Sequence, residues 1–137
     1  MGSGEIIVLD THIWVWWVNG SAELSPAKRQ ILASRQADGL GVSVISCWEI
    51  AKLVEKGRLS LAAPVRQWID QALAYPGIRL LPLDPKIAVA STQLPPPFHN
   101  DPEDQIITAT AREMNCPIAT DDGKILAYAH VPLTWLR

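Results

Sequence analysis

Apolar and polar positions along the chain switch between two periodicities, and each switch marks an element. Ile6-Ile7-Val8-Leu9 is a short, wholly apolar, β-branched run, the composition of a strand buried on both faces. Ser25-Pro26 predicts a helix to about Arg35, with serine as N-cap and proline at the first helical position. Gly41-Val42-Ser43-Val44 reads as a second strand. Ser46-Cys47-Trp48-Glu49 has capping-box spacing for a helix that turns Ile50, Leu53 and Val54 toward a core and ends near Gly57. Pro64 to Ala74 is another helix, with Val65, Trp68, Ile69, Ala72 and Leu73 at helical spacing, stopped by Pro76-Gly77. Ile78-Arg79-Leu80-Leu81 predicts a third strand, and Pro85 to Thr92 a helix after it. Asp101-Pro102-Glu103-Asp104 opens a helix with Ile107, Ala111 and Met114 on one stripe. Pro117-Ile118-Ala119-Thr120 is a fourth strand, Asp122 to Tyr128 a short helix, and Val131 to Thr134 a final strand.

Strands separated by helices pair in parallel through right-handed crossovers. The expected fold is therefore α/β, a three-layer α/β/α sandwich around a central, mostly parallel sheet of about five strands. Leu94-Pro95-Pro96-Pro97-Phe98 is too short to divide domains, so residues 1–137 are expected to form one. Hydrophobic residues make up 48% of the chain and charged residues 19%, which excludes a disordered protein. The longest apolar run, Ile13 to Val18, falls far short of the ~20 residues that span a bilayer. The start, Met1-Gly2-Ser3-Gly4-Glu5, lacks the basic residues of a signal peptide, so a cytoplasmic protein without a membrane partner is expected. Cys47 and Cys116 each stand alone and support neither a disulfide framework nor a zinc knuckle. If helical, Ile13-Trp14-Val15-Trp16-Trp17-Val18 is apolar all round, and its aromatic face is expected to be covered by another protein surface.

The chemistry lies in where the acids fall. Ligands of open parallel sheets bind beyond the carboxyl ends of the strands, and there this chain places Asp10, Glu49, Asp121 and Asp122, with Asp101 and Asp104 opening the helix after the proline loop. Each has a bland explanation. Glu49 suits a capping box with Ser46, Asp101 is a good N-cap, Asp104 complements a helix N-terminus, and Asp121 or Asp122 could cap the helix that follows. Together, however, such carboxylates repel one another and raise their pKa values. A hard divalent cation removes that repulsion, and a water-rich Mg2+ or Mn2+ on carboxylates is equipment for phosphodiester hydrolysis.

Net charge is −2, from 14 acids against 12 Lys and Arg, which on its face argues against a nucleic-acid partner. Setting aside Asp10, Glu49, Asp101, Asp104 and Asp122 leaves nine acids against twelve bases, a remainder of +3. Lys52 and Lys56 follow Glu49 on its helix, and Lys124 follows Asp122, so basic neighbours could hold a phosphate backbone. Lys52 could equally pair with Glu49 at i,i+3. His12 reads as a structural histidine, His99 could touch substrate, and the three histidines are too scattered for zinc.

Leu9-Asp10-Thr11-His12, Ser46-x-x-Glu49, Asp101-Pro102-x-Asp104 with Ile106-Ile107-Thr108-Ala109-Thr110-Ala111, and Thr120-x-Asp122-x-x-Ile125, in this order, resemble a PIN domain. More narrowly they resemble the VapC-like toxins of bacterial type II toxin–antitoxin systems, over essentially the whole chain. The resemblance implies an endoribonuclease using Mg2+ (or Mn2+), with Asp10, Glu49, Asp104 and Asp122 as catalytic, metal-binding acids. Asp101, Thr11 and Ser46 would support the site, and Asp121 is the alternative to Asp122. Lys52, Lys56, Lys124 and His99 are candidate RNA contacts. The resemblance also implies a cognate antitoxin and a homodimer. Gln105 departs from the family, which often has arginine there. The alternative is a catalytically idle PIN scaffold that binds RNA or a protein. An acid-cluster phosphatase or receiver domain lacks support, since the strand carrying Asp10 has no DxDx-type motif and no lysine ends the last strand.

Overall fold

The structure is a computed structural model that describes residues 5–135, so the expectation drawn from Met1–Gly4 lies outside the described residues. Its sheet has four parallel strands, β1 (Ile7–Leu9), β2 (Leu40–Ser43), β3 (Ile78–Leu81) and β4 (Ile118–Ala119), in the order β3-β2-β1-β4. At the centre Val8 sits between Gly41 of β2 and Ile118 of β4. The expected fifth strand shrinks to one parallel bridge between Ile118 and Leu133. Pro132 lends its carbonyl to the Ile118 N–H at 3.0 Å, but it has no N–H with which to lengthen a ladder.

Alternate residues of each strand feed two cores. Ile7, Leu9, Leu40 and Val42 point into one, closed by α1 (Thr11–Asn19), α2 (Pro26–Arg35), α3 (Val44–Glu55) and α4 (Val65–Leu73). Val8 and Ile118 point into the other, against Ile107 and Ala111 of α6 (Pro102–Glu113) and Ile125 of α7 (Gly123–Leu126). The short α5 (Pro85–Ala90) packs on α6. Gly41 faces the second core where space is short: a Cβ there would lie 2.7 Å from Leu81 Cδ1 and 3.1 Å from Ile6 Cγ2.

Three local expectations are corrected. Trp14 and Trp17 do not offer a face to another protein, because both are buried in the first core. The Trp14 ring lies 5.7 Å from Trp68, and Trp17 meets Tyr75 edge-on at 6.3 Å. A helix wedged between a sheet and further helices buries most of its sides; Trp16 and Val18 are only partly buried, and the Trp16 ring lines the cleft beside Asp10. Second, α3 starts at Val44, which therefore leaves β2, and its N-cap is Ser43, whose hydroxyl accepts from the Ile45 N–H at 3.2 Å. Ser46 lies inside the helix, fully buried, so there is no capping box with Glu49. Third, Met114 is exposed, because α6 ends at Glu113 and Asn115 turns the chain at φ 54°.

Candidate active site

Strand order reverses at β1, whose neighbours are β2 on one side and β4 on the other. The helices that follow β1 and β4 pack on opposite faces, leaving a crevice beyond the carboxyl ends of these two strands. Asp10 stands at its edge, only 9% exposed. It caps α1 by accepting from the Thr11 N–H at 2.8 Å through Oδ1, while Oδ2 accepts from the Thr120 hydroxyl at 2.7 Å. Thr120 Oγ1 in turn accepts from the Asp122 N–H at 2.9 Å, so one hydroxyl ties the ends of β1 and β4 together.

Glu49 comes from α3 and is held by the residue after Asp10. The Thr11 hydroxyl donates to Glu49 Oε1 at 2.6 Å, and Ser46 Oγ lies 2.8 Å from Thr11 Oγ1. Thr11 has one hydroxyl hydrogen and spends it on the carboxylate, so Ser46 is the donor to Thr11. Asp104 comes from the first turn of α6, where its N–H donates to Asp101 Oδ1 at 3.1 Å. Its Oδ2 lies 2.7 Å from His99 Nε2. That histidine is itself fixed: Gln105 Nε2 donates to its carbonyl at 2.9 Å, and the Phe98 ring stacks on it at 4.4 Å.

The carboxylates share one field. Burial pushes the Asp10 carboxyl up, with Asp122 adding to the rise and hydrogen bonds from Thr120 and the Thr11 N–H opposing it. Burial also raises Glu49, with Asp10 and Asp104 reinforcing it against the Thr11 hydrogen bond. Asp104 is pushed up to about 6, by burial first and then by Asp10, Asp101 and Asp122, with His99 pulling the other way. No lysine or arginine is among the largest influences on these three acids, and none is ion-paired with them among the described residues. A segment near residue 10, one near 49, one near 104 and one near 122 are thus brought within electrostatic reach of one another.

Among the described residues no three acids, cysteines or histidines are placed to grip one ion simultaneously. The chemistry of the donors nevertheless fits a hard cation. They are carboxylate oxygens, mutually repelling and uncompensated by ammonium or guanidinium. Mg2+ keeps much of its water and needs only one or two carboxylates in direct contact.

A PIN-domain family model matches residues 7–131. The chain belongs to the PIN-domain family. Ribonuclease VapC22 of Mycobacterium tuberculosis (strain ATCC 25618 / H37Rv) is 36% identical over 124 residues, 90% of this chain and 92% of that protein. Among solved structures, VapBC2 from Rickettsia felis bound to a DNA fragment from their promoter superposes with a TM-score of 0.68 at 18% identity, covering 93% of this chain and 96% of that one. A toxin–antitoxin complex from Klebsiella pneumoniae gives a TM-score of 0.64 at 19% identity, covering 96% and 99%. At such identities the structural likeness speaks for the fold alone.

In this PIN domain two adjacent acids end β4 and their roles separate. Asp121 is ion-paired with Lys28 at 2.7 Å. Asp122 caps α7, accepting from the Lys124 N–H at 2.8 Å, and is the one that acts on Asp10 and Asp104. Asp101 caps α6. Lys52 pairs with Glu55 at 2.8 Å rather than with Glu49. Lys56 lies exposed beside the cleft that Glu49 lines, whereas Lys124 lines a separate recess with Pro97 and Tyr128. His99 contacts Asp104 itself. His12 is exposed on the rim of a cleft of about 210 Å³ lined by Asp10, Trp16, Asp121 and Asp122, not enclosed as a structural histidine would be. Sequence reasoning assigned no role to Thr120 or Gln105. The motif Thr120-x-Asp122 contained the first, and the departure at Gln105 flagged the second.

Proposed function

We propose that this PIN domain is a metal-dependent endoribonuclease, the toxin of a toxin–antitoxin pair. The observation that carries the reading is that Asp10, Glu49, Asp104 and Asp122 lie within electrostatic reach of one another, with no lysine or arginine paired to any of them among the described residues. The 36% identity to a protein named Ribonuclease VapC22 supports it, as does a fold shared with chains solved in toxin–antitoxin complexes.

Asp10, Glu49, Asp104 and Asp122 would hold Mg2+ (or Mn2+), some of them through water. The chemistry such an ion supplies is a bound water of lowered pKa and stabilisation of charge on the leaving oxygen. The chain's own side chains set the stage. Thr120 fixes Asp10, Thr11 fixes Glu49 with Ser46 behind it, and Asp101 and His99 fix Asp104. An antitoxin that silences such a centre has to cover the crevice, and a homodimer is part of the same reading.

The test is cleavage of single-stranded RNA. The purified chain should cut with Mg2+ or Mn2+, fall silent in EDTA, and lose activity in Asp104→Asn with its fold intact. Toxicity and RNA binding that persist in Asp104→Asn, with no cleavage by the parent, would instead make the chain an idle scaffold.

A further inference from the structure

One exposed tryptophan lies outside the machinery described so far. Trp48 is 50% exposed on α3, immediately before Glu49. Trp48, Lys52 and Lys56 are spaced i, i+4, i+8 and therefore share one helix face. They line a cleft of about 230 Å³ together with Arg58, and Glu49 forms its wall on the side of the crevice. The Lys52 ammonium sits over the Trp48 ring, 5.9 Å from its centroid. Arg58 is paired with no carboxylate among the described residues.

A half-exposed indole beside three cations, one of which (Lys52) is shared with Glu55, has a specific physical use. The π-face of tryptophan stacks any nucleobase, and lysine and arginine neutralise the backbone that carries it. Asp101 and Glu103 also line the cleft, and with Glu49 they make its acidic side, so charge passes from negative to positive going away from the crevice. A polynucleotide lying along that gradient would have its flanking phosphates on the cations and its reacting phosphate toward the acids. A second copy of this chain would have to match both the basic and the acidic side of the cleft, whereas an exposed indole beside cations matches a base and its phosphates directly.

We propose that this cleft is a binding subsite for single-stranded RNA, in which Trp48 stacks a base next to the scissile phosphate and Lys52, Lys56 and Arg58 hold the adjoining backbone. The proposal deepens the nuclease reading and rests on it for the identity of the polymer.

The experiment measures binding of a fluorescently labelled single-stranded RNA oligonucleotide to Asp10→Asn protein in EDTA, which on the nuclease reading does not cleave. On that background Trp48→Ala should weaken binding by about tenfold or more, and Trp48→Phe should keep most of the affinity. A combined Lys52→Gln, Lys56→Gln, Arg58→Gln variant should flatten the plot of log affinity against log salt by about 0.7 for each phosphate it no longer neutralises. Circular dichroism confirms folding of each variant, which Trp48's exposure favours. If RNA binds but neither the affinity of Trp48→Ala nor the salt slope of the triple variant moves, the subsite is overturned while the nuclease reading stands. Trp48-dependent binding with no cleavage by the parent supports the subsite and overturns the nuclease. If Trp48→Ala turns a dimer into a monomer and leaves RNA affinity unchanged, the face belongs to a second copy and the proposal falls.

Discussion

Thr11 donates its hydroxyl hydrogen to Glu49 Oε1 at 2.6 Å, joining the first residue of α1 to the second turn of α3 across 38 positions of sequence. Both groups lie next to the crevice, so the bond fixes a carboxylate that would otherwise swing on a flexible stem. Removing the hydroxyl leaves Ser46 without its acceptor and the carboxylate without its donor. Hydrogen bonds to charged groups contribute about 1.5–3 kcal/mol each. Thr11→Val should therefore cost about 2 kcal/mol in urea unfolding and cut RNA cleavage at least tenfold, and Thr11→Ser should recover most of both. Equal activity in the valine variant would show that Glu49 needs no such anchor.

The reach of sequence reasoning follows the range of the interactions involved. The run Ile6 to Leu9, the Ser25-Pro26 start and the Asp101-Pro102 start are read correctly because the signals are local: β-branched burial, a cap, a fixed φ. The acids at strand ends are legible for the same reason, since a strand that stops and a helix that starts leave a place for one. Ser46-x-x-Glu49 misleads because a capping box and a Thr11-bound pair have the same spacing, and only a hydrogen bond across 35 residues, Ser46 to Thr11, tells them apart. Trp14 and Trp17 mislead because helical periodicity counts apolar sides but not the layers available to cover them. The ion pair of Lys28 with Asp121 spans 93 residues and has no local signature at all.

Asp104 makes the metal-free protein sensitive to pH in a definite direction. Its carboxyl is raised from 3.8 to about 6, first by burial and then by Asp10, Asp101 and Asp122, and Asp10 and Glu49 are raised too. Between those two values the folded state binds more protons than the unfolded state, so stability grows as pH falls through 6. In EDTA the melting temperature should be higher at pH 5.5 than at pH 7.5. Asp104→Asn should flatten that profile and melt no lower than the parent at pH 7.5. A parent that melts lower at pH 5.5 would contradict the mutual repulsion of these acids.

The same repulsion makes a bound cation stabilising. At neutral pH, Mg2+ or Mn2+ present at about 100 times its Kd should add about 2.7 kcal/mol, raising the melting temperature by roughly 8 °C for a domain of this size. Sodium at matched ionic strength should give little of this, and Asp10→Asn should lose most of it. Differential scanning fluorimetry reads the effect without any RNA, so it tests the cation independently of cleavage. A melting temperature that ignores both ions would refute the assignment of these four acids.

The last pair of acids offers the sharpest contrast, because Asp121 and Asp122 are neighbours with the same chemistry. Asp121 is committed to Lys28 on α2, and both side chains are about a third exposed. A pair that exposed contributes about 0–1 kcal/mol. Asp122 instead has its N–H on Thr120, the residue that holds Asp10, and its charge raises Asp10 and Asp104. Asp121→Asn should therefore lower stability by less than about 1 kcal/mol and change RNA cleavage by no more than a few-fold. Asp122→Asn should remove at least a hundredfold of the cleavage rate and blunt the melting shift on adding Mn2+. Both carboxylates line the cleft with Asp10, but Asp121 is already paired with Lys28, whereas no lysine or arginine pairs with Asp122 among the described residues. If the two variants exchange behaviour, the ligand at the end of β4 is Asp121, and Lys28 must release it when the ion binds.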